Sequence, residues 1–201
     1  MVIRKIHFAF AGLLWFACFG FSMHGQSTSD NQIIDCETLG KKSDVWTLNQ
    51  KPYNGRCHAF HPNGKKNSEA SFQNGRIHGV MKLFHESGRL AESTEYINGI
   101  PNGKVVYYFD SDQISETGLV TNGEKSGEWK TYYESGQLQS VENYRNGEMH
   151  GPAKAYTESG KLQMKGQFKN GVQDGIWTFY DPKTGKVDGT MEYENGKPKE
   201  N

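Results

Sequence analysis

Hydrophobic and polar positions fall into two regimes along this chain. One is a solid apolar run from Phe8 to Phe21, followed by polar residues from Gln26 onward. The other begins near Gln50. It consists of short stretches in which Tyr, Trp, Thr and Val alternate with polar residues, such as Glu128-Trp129-Lys130-Thr131-Tyr132-Tyr133. Runs of this length and composition, bounded by turn residues, predict β-strands. The Asn-Gly and Ser-Gly pairs between them supply the positive-φ positions that tight hairpin turns require.

The alternation is periodic. Glycine recurs every 24 residues, at Gly55, Gly79, Gly103, Gly127, Gly151 and Gly175. Five residues after each stands an aromatic: Phe60, Phe84, Tyr108, Tyr132, Tyr156 and Tyr180. Nine after it a turn glycine follows at Gly64, Gly88, Gly136 and Gly160; Asp112 stands in that column in the third unit, and the last unit gains one residue to reach Gly185. Asp tolerates the left-handed region better than most side chains, so Asp112 predicts the same turn. Asn-Gly pairs run from Asn74-Gly75 to Asn195-Gly196, each with Phe, Tyr or Val two residues before the Asn. A fixed period of this length predicts stacked repeats. We therefore expect an all-β fold: an elongated, single-layer antiparallel meander of six 24-residue β-hairpins over residues 50–196. Two strands per unit at about 4.8 Å give roughly 60 Å of sheet.

Side chains alternate faces along a strand. The aromatic column therefore opposes Cys57, Met81, Val105, Trp129, Ala153 and Trp177, three residues earlier. A three-residue loop at Glu-Ser-Gly pairs Phe84 with Leu90 and Tyr132 with Leu138, whereas a two-residue turn shifts every return strand to the other face. The three-residue loop gathers the least variable columns on one face. Counting parity from it also places Phe72, Tyr96, Val120, Tyr144, Phe168 and Tyr193 with the Phe84–Tyr180 column.

Outside the repeats, residues 1–25 read as a signal peptide, with Arg4 and Lys5 before the apolar run and small residues at its end. That run is shorter than the roughly 20 residues of a spanning helix. The expected location is the periplasm or the exterior. Membrane association arises only if this segment is uncleaved or lipidated at Cys18, whose preceding Trp15-Phe16-Ala17 makes a poor lipobox. Residues 26–44 read as a flexible lead, 45–49 as an N-terminal cap strand and 197–201 as a polar tail that discourages edge pairing.

Composition narrows the function. Hydrophobic residues make up 34% of the chain, too few for a thick two-layer core, yet aromatics reach 12%. Removing Arg4 and Lys5 leaves 21 of the 23 basic residues against 23 acidic, with no basic block, which argues against nucleic acid as a partner and against an anionic-lipid patch. Cys36 and Cys57 remain after cleavage. They pair in an oxidising compartment, or stay as two thiols, one buried. Catalytic, cofactor and metal sites are not expected. His58 and His61 are three apart on a strand and face opposite ways, while Glu86, Glu134 and Glu158 recur by repeat where a catalytic pair would be unique. A single-layer sheet leaves one aromatic-rich face partly exposed. The candidate partner-binding residues are thus Phe84, Tyr108, Tyr132, Tyr156 and Tyr180, with Trp129 and Trp177.

The unit Asn122 to Leu138, Asn-Gly-x-x-x-Gly-x-Trp-x-x-Tyr-Tyr-x-x-Gly-x-Leu, resembles the MORN repeat in its bacterial variant form. The likeness extends over about residues 50–196. Asp112, Cys57-His58 and Pro152-Ala153 depart from it. The pattern is also similar to proteins grouped as YwqK-like antitoxins, and that resemblance implies a toxin as protein partner. Attachment to an envelope or lipid surface is a further function that MORN resemblance implies. From the residues themselves, the expectation is a non-enzymatic exported scaffold that binds a protein.

Overall fold

The computed structural model describes residues 33–199; the signal-type segment 1–25, residues 26–32 and the last two residues lie outside it. The described chain is a meander. Each repeat sends out one strand and returns on another: Gly55–Phe60 with Lys66–Gln73, Gly79–Phe84 with Leu90–Ile97, Ile100–Tyr108 with Ile114–Thr121, Glu124–Tyr132 with Leu138–Arg145, Gly151–Tyr156 with Leu162–Lys169, and Val172–Tyr180 with Val187–Glu194. Successive strands are neighbours in one 16-stranded sheet, and every pairing within and between repeats is antiparallel.

The turn residues account for this path. All six Asn-Gly pairs hold both residues at positive φ, from Asn74 at 52° and Gly75 at 72° to Asn195 at 52° and Gly196 at 79°. That is the type I′ geometry whose twist matches antiparallel strands. At the other end of each hairpin Asp112 takes φ 67° where Gly88 has 87°, so the aspartate substitutes for glycine in the left-handed position. The three-residue loop is formed: Phe84 pairs with Leu90 and Tyr132 with Leu138.

The face assignment beyond that loop is corrected by the structure. Leu83 pairs with Glu92 while Phe84 pairs with Leu90, so Ala91 is an extra residue on the return strand. The same shift follows Tyr107, Thr131, Ala155 and Phe179. A β-bulge of one residue reverses the side-chain alternation beyond it. The aromatics before Asn-Gly consequently join the Trp129 column, not the Tyr132 column. Gly79 pairs with Tyr96 and Met81 with Thr94; the Trp129 and Tyr144 rings meet at 6.2 Å and those of Phe168 and Trp177 at 5.1 Å. We call this the packed face and the opposite one, bearing Phe84 to Tyr180, the outer face.

The flanks differ from expectation as well. Of the segment expected to be a flexible lead, residues 33–44 are structured. Ile33–Asp35 pairs in parallel with Arg56–His58 and closes the N-terminal edge of the sheet. A 3-10 turn, Cys36–Thr38, follows. Val45–Leu48 is a strand, but it pairs with Gly40–Lys42 and Lys51–Pro52 in a separate 3-stranded sheet. Leu39 and Tyr53 bury themselves against Cys57, Ala70, Phe72 and Met81, so residues 33–53 form a lid over the packed face of the first repeats. Within the polar tail, Lys197–Pro198 pairs back onto Tyr193 and Glu194.

Candidate functional site

Three sets of ties between neighbouring repeats position the two faces. The first is backbone to backbone. The amide of each Asn-Gly glycine reaches the preceding repeat, as Gly99 N–H to the Ile77 carbonyl at 2.7 Å and Gly123 to Pro101 at 2.8 Å. The second uses the side chain directly after the outer aromatic. His61 bonds the Phe84 carbonyl at 2.9 Å, His85 the Tyr108 carbonyl at 3.1 Å, and the Tyr133 hydroxyl donates to the Tyr156 carbonyl at 2.9 Å. The third crosses the turns: the Lys65 ammonium donates to the Ser87 carbonyl and Lys161 to that of Lys183, both in the next unit. Each tie contributes about 1 kcal/mol net. The sequence did carry the second column (His61, His85, Tyr133), but its polar members vary too much in type to stand out.

The packed face is floored by the column Cys57, Met81, Val105, Trp129, Ala153 and Trp177, and every member is buried. Glycine makes room for the two tryptophans. A Cβ on Gly118 would lie 2.3 Å from the Trp129 ring, and one on Gly166 equally close to that of Trp177. Each indole therefore lies across a bare backbone, and its N–H donates to the next carbonyl: Trp129 to Leu119 at 2.9 Å, Trp177 to Gln167 at 3.2 Å. Where the floor residue is smaller, the same position holds Ala70 before Met81, Thr94 before Val105 and Glu142 before Ala153. Small against large at a spacing of 11 residues was legible in the sequence.

The middle of this face is polar. Lys125 arches over Trp129, 4.0 Å from the ring centroid, to pair with Glu116. Burial pushes the Glu92 carboxyl above the ordinary carboxylate range, even though the Thr94 hydroxyl donates to it at 2.7 Å. Burial, with Glu92 and Glu116 nearby, pushes the Tyr107 phenol up to about 12. Lys125 and Glu116 offset each other's charge, and the Thr94 hydroxyl is the donor to Glu92. Elsewhere His58 faces Glu69 at 3.6 Å while His61 points to the Phe84 carbonyl, so the two histidines are not brought together. Among the described residues no three His, Cys, Asp or Glu side chains gather as metal ligands would.

The seven candidate partner-binding residues are split by the structure. Phe84, Tyr108, Tyr132, Tyr156 and Tyr180 form a partly exposed row on the outer face, with Ile114 and Val187 more open beside it and Ile176 64% exposed. Trp129 and Trp177 are only 2% and 3% exposed and floor the other face, so they do not belong to the outer-face row. At the N-terminal end, Cys36 and Cys57 are joined by a disulfide, with Cα atoms 5.0 Å apart. This bond pins the lid to the floor of the packed face. Between lid and sheet is a cleft of about 500 Å³, mostly apolar, bounded by Leu39, Trp46, Cys57, Phe72, Met81 and Leu83.

Comparison with known proteins agrees with this repeat geometry. The MORN repeat variant family matches residues 53–74, 77–98, 125–146 and 149–170. The units passed over, 101–122 and 173–195, are the one with Asp112 at the turn and the one with an added residue, yet both fold as the same hairpin. No curated protein matches the chain. Among solved structures, similarity is found to the GtfA/B complex bound to UDP and GlcNAc, at 12% identity and a TM-score of 0.23 over 72% of this chain and 28% of that one. It is found also to the Glycosylation Associate Protein (Gap123) complex from Streptococcus agalactiae, at 17% identity and a TM-score of 0.22 over 79% and 23%. The chain thus spans about a quarter of the length of either. Four matched units and two more in the same sheet make this chain a MORN-repeat protein of the variant type, a scaffold of β-hairpin repeats.

Proposed function

We propose that this scaffold is exported, has no catalytic role, and holds a protein partner against its outer face. The observation that carries this reading is the partly exposed row Phe84, Tyr108, Tyr132, Tyr156 and Tyr180, repeated at each hairpin and flanked by exposed aliphatic side chains. Aromatic groups with polar tips on a rigid frame contribute large contact area at low entropic cost. The Cys36–Cys57 disulfide supports an oxidising compartment. The resemblance to YwqK-like antitoxins makes a secreted toxin one partner class to try.

The test is affinity capture from envelope extract with the wild-type chain and with a Tyr132→Ser/Tyr156→Ser variant whose fold is checked by circular dichroism. A protein retained by the wild type and lost from the variant supports the proposal. Equal recovery by both, or nothing above background, counts against it.

A further inference from the structure

The packed face has apolar surface at both ends and a charged middle, and the two ends are equivalent by repeat. Residues 33–53 rest on Cys57, Ala70, Phe72 and Met81, with Leu83 beside them. Four repeats later the same positions are Ala153, Gly166, Phe168, Trp177 and Phe179. In the repeats between, Glu92, Glu116, Lys125 and Glu142 interrupt the pattern. On the last four long strands the pairing places no charged side chain on this face. Met164 replaces the buried Ser68 of the first repeat, and Met191 follows, 43% exposed. Thioether side chains adapt to irregular apolar partners, and here they stand beside Phe168, Phe179 and Tyr193. The main contacts of these strands are with their sheet neighbours.

We infer that the packed face of the last two repeats is a docking site for an extended segment of a protein partner bearing leucine and aromatic anchors. The chain itself shows what such a segment looks like. On the equivalent surface of the first repeat it seats Leu39, Trp46 and Tyr53, with the Trp46 and Tyr53 rings 6.1 and 5.7 Å from that of Phe72. A second copy cannot supply its own lid by exchange, because the Cys36–Cys57 bond ties that lid to its own first repeat. The inference concerns a different face from the one proposed above and stands apart from it.

The probe is a synthetic peptide of residues 38–53, which contains no cysteine, titrated onto the full disulfide-intact chain. Saturable binding is expected. Met164→Lys and Met191→Lys in the protein should each weaken it about tenfold or more, as burial of a methionine side chain warrants. Leu39→Ser or Trp46→Ser in the peptide should do the same, and Tyr132→Ser on the outer face should leave it unchanged. Circular dichroism establishes that the variants fold. Binding that ignores both lysine substitutions, or no binding up to the solubility limit, overturns the inference. So does sedimentation showing a dimer that Met191→Lys disperses, since the occupant would then be a second copy.

Discussion

The first and last repeats protect the same face by different means. At the N-terminal end the floor residues are small or slender, Cys57 and Met81, and protection is borrowed from a lid held by one disulfide. At the C-terminal end Trp177 shields the face from within, lying flat over Gly166, and no lid is required for it to be 3% exposed. A hairpin sheet one layer thick shows here two routes to a buried floor: cover it with chain, or fill it with an indole laid over a glycine. The first ties stability to redox state; the second ties it to a single side chain and a glycine.

The sharpest way to break this contrast is to empty the indole slot. Trp177→Ala should destabilise by about 3–5 kcal/mol, the range for deleting a buried aromatic, read from the urea midpoint. Gly166→Ala should cost about 1–3 kcal/mol by overpacking against the ring. The double variant should cost less than the sum, because the added methyl then enters vacated space. Additive costs would show that Gly166 is not there for Trp177. At the covered end the corresponding lever is the disulfide. Its span of 21 residues corresponds to about 3 kcal/mol in the chain-entropy model. Cys36→Ser should lose that amount and, in hydrogen exchange, strip protection from residues 55–84 while leaving 151–194 protected. Uniform loss across all six repeats would mean that the ends do not respond separately, against the nearest-neighbour behaviour of repeat arrays.

The repeats were legible because their turns are chemically explicit. Asn-Gly pairs, a glycine column with one aspartate and a 24-residue period fix hairpins, loop length and neighbour pairs such as Phe84 with Leu90. Two things were not. The bulge at Ala91 and its equivalents has no residue signature, so parity counted past it placed Tyr144 and its column on the wrong face. The lid has no periodicity either; residues 33–44 are held by a disulfide and by burial of Leu39, both of which depend on contacts far along the chain. The same error hid the site: with parity reversed, Trp129 and Trp177 read as surface anchors when they are the floor.

Smaller effects test the ties that both ends share. Tyr133→Phe removes the hydroxyl that donates to Tyr156 and should cost about 1 kcal/mol in urea unfolding. Phe109 occupies the same column naturally and has no hydroxyl, so Phe109→Tyr at that neighbouring repeat should recover a comparable amount if the tie acts locally. A null result for both would show that this side-chain tie adds nothing to the backbone bonds that already link the repeats.

The smallest expected effect separates the two apolar ends from the polar middle. Burial raises the Glu92 carboxyl, so the folded chain holds its proton at a pH where the unfolded chain has released it. The sign follows: stability falls as pH rises from the ordinary carboxylate range through the folded value, and at neutral pH the ionised Glu92 is a cost. Glu92→Gln removes that cost while its amide oxygen can still accept from Thr94. The variant should thus be modestly more stable than wild type at pH 7, with the gain shrinking towards zero below the ordinary carboxylate range. Urea midpoints at pH 7 and pH 4 measure it. A variant less stable at pH 7 would show that the carboxylate charge is used within the fold, and the middle of the packed face would then be a built polar site and not merely an interruption between two apolar ends.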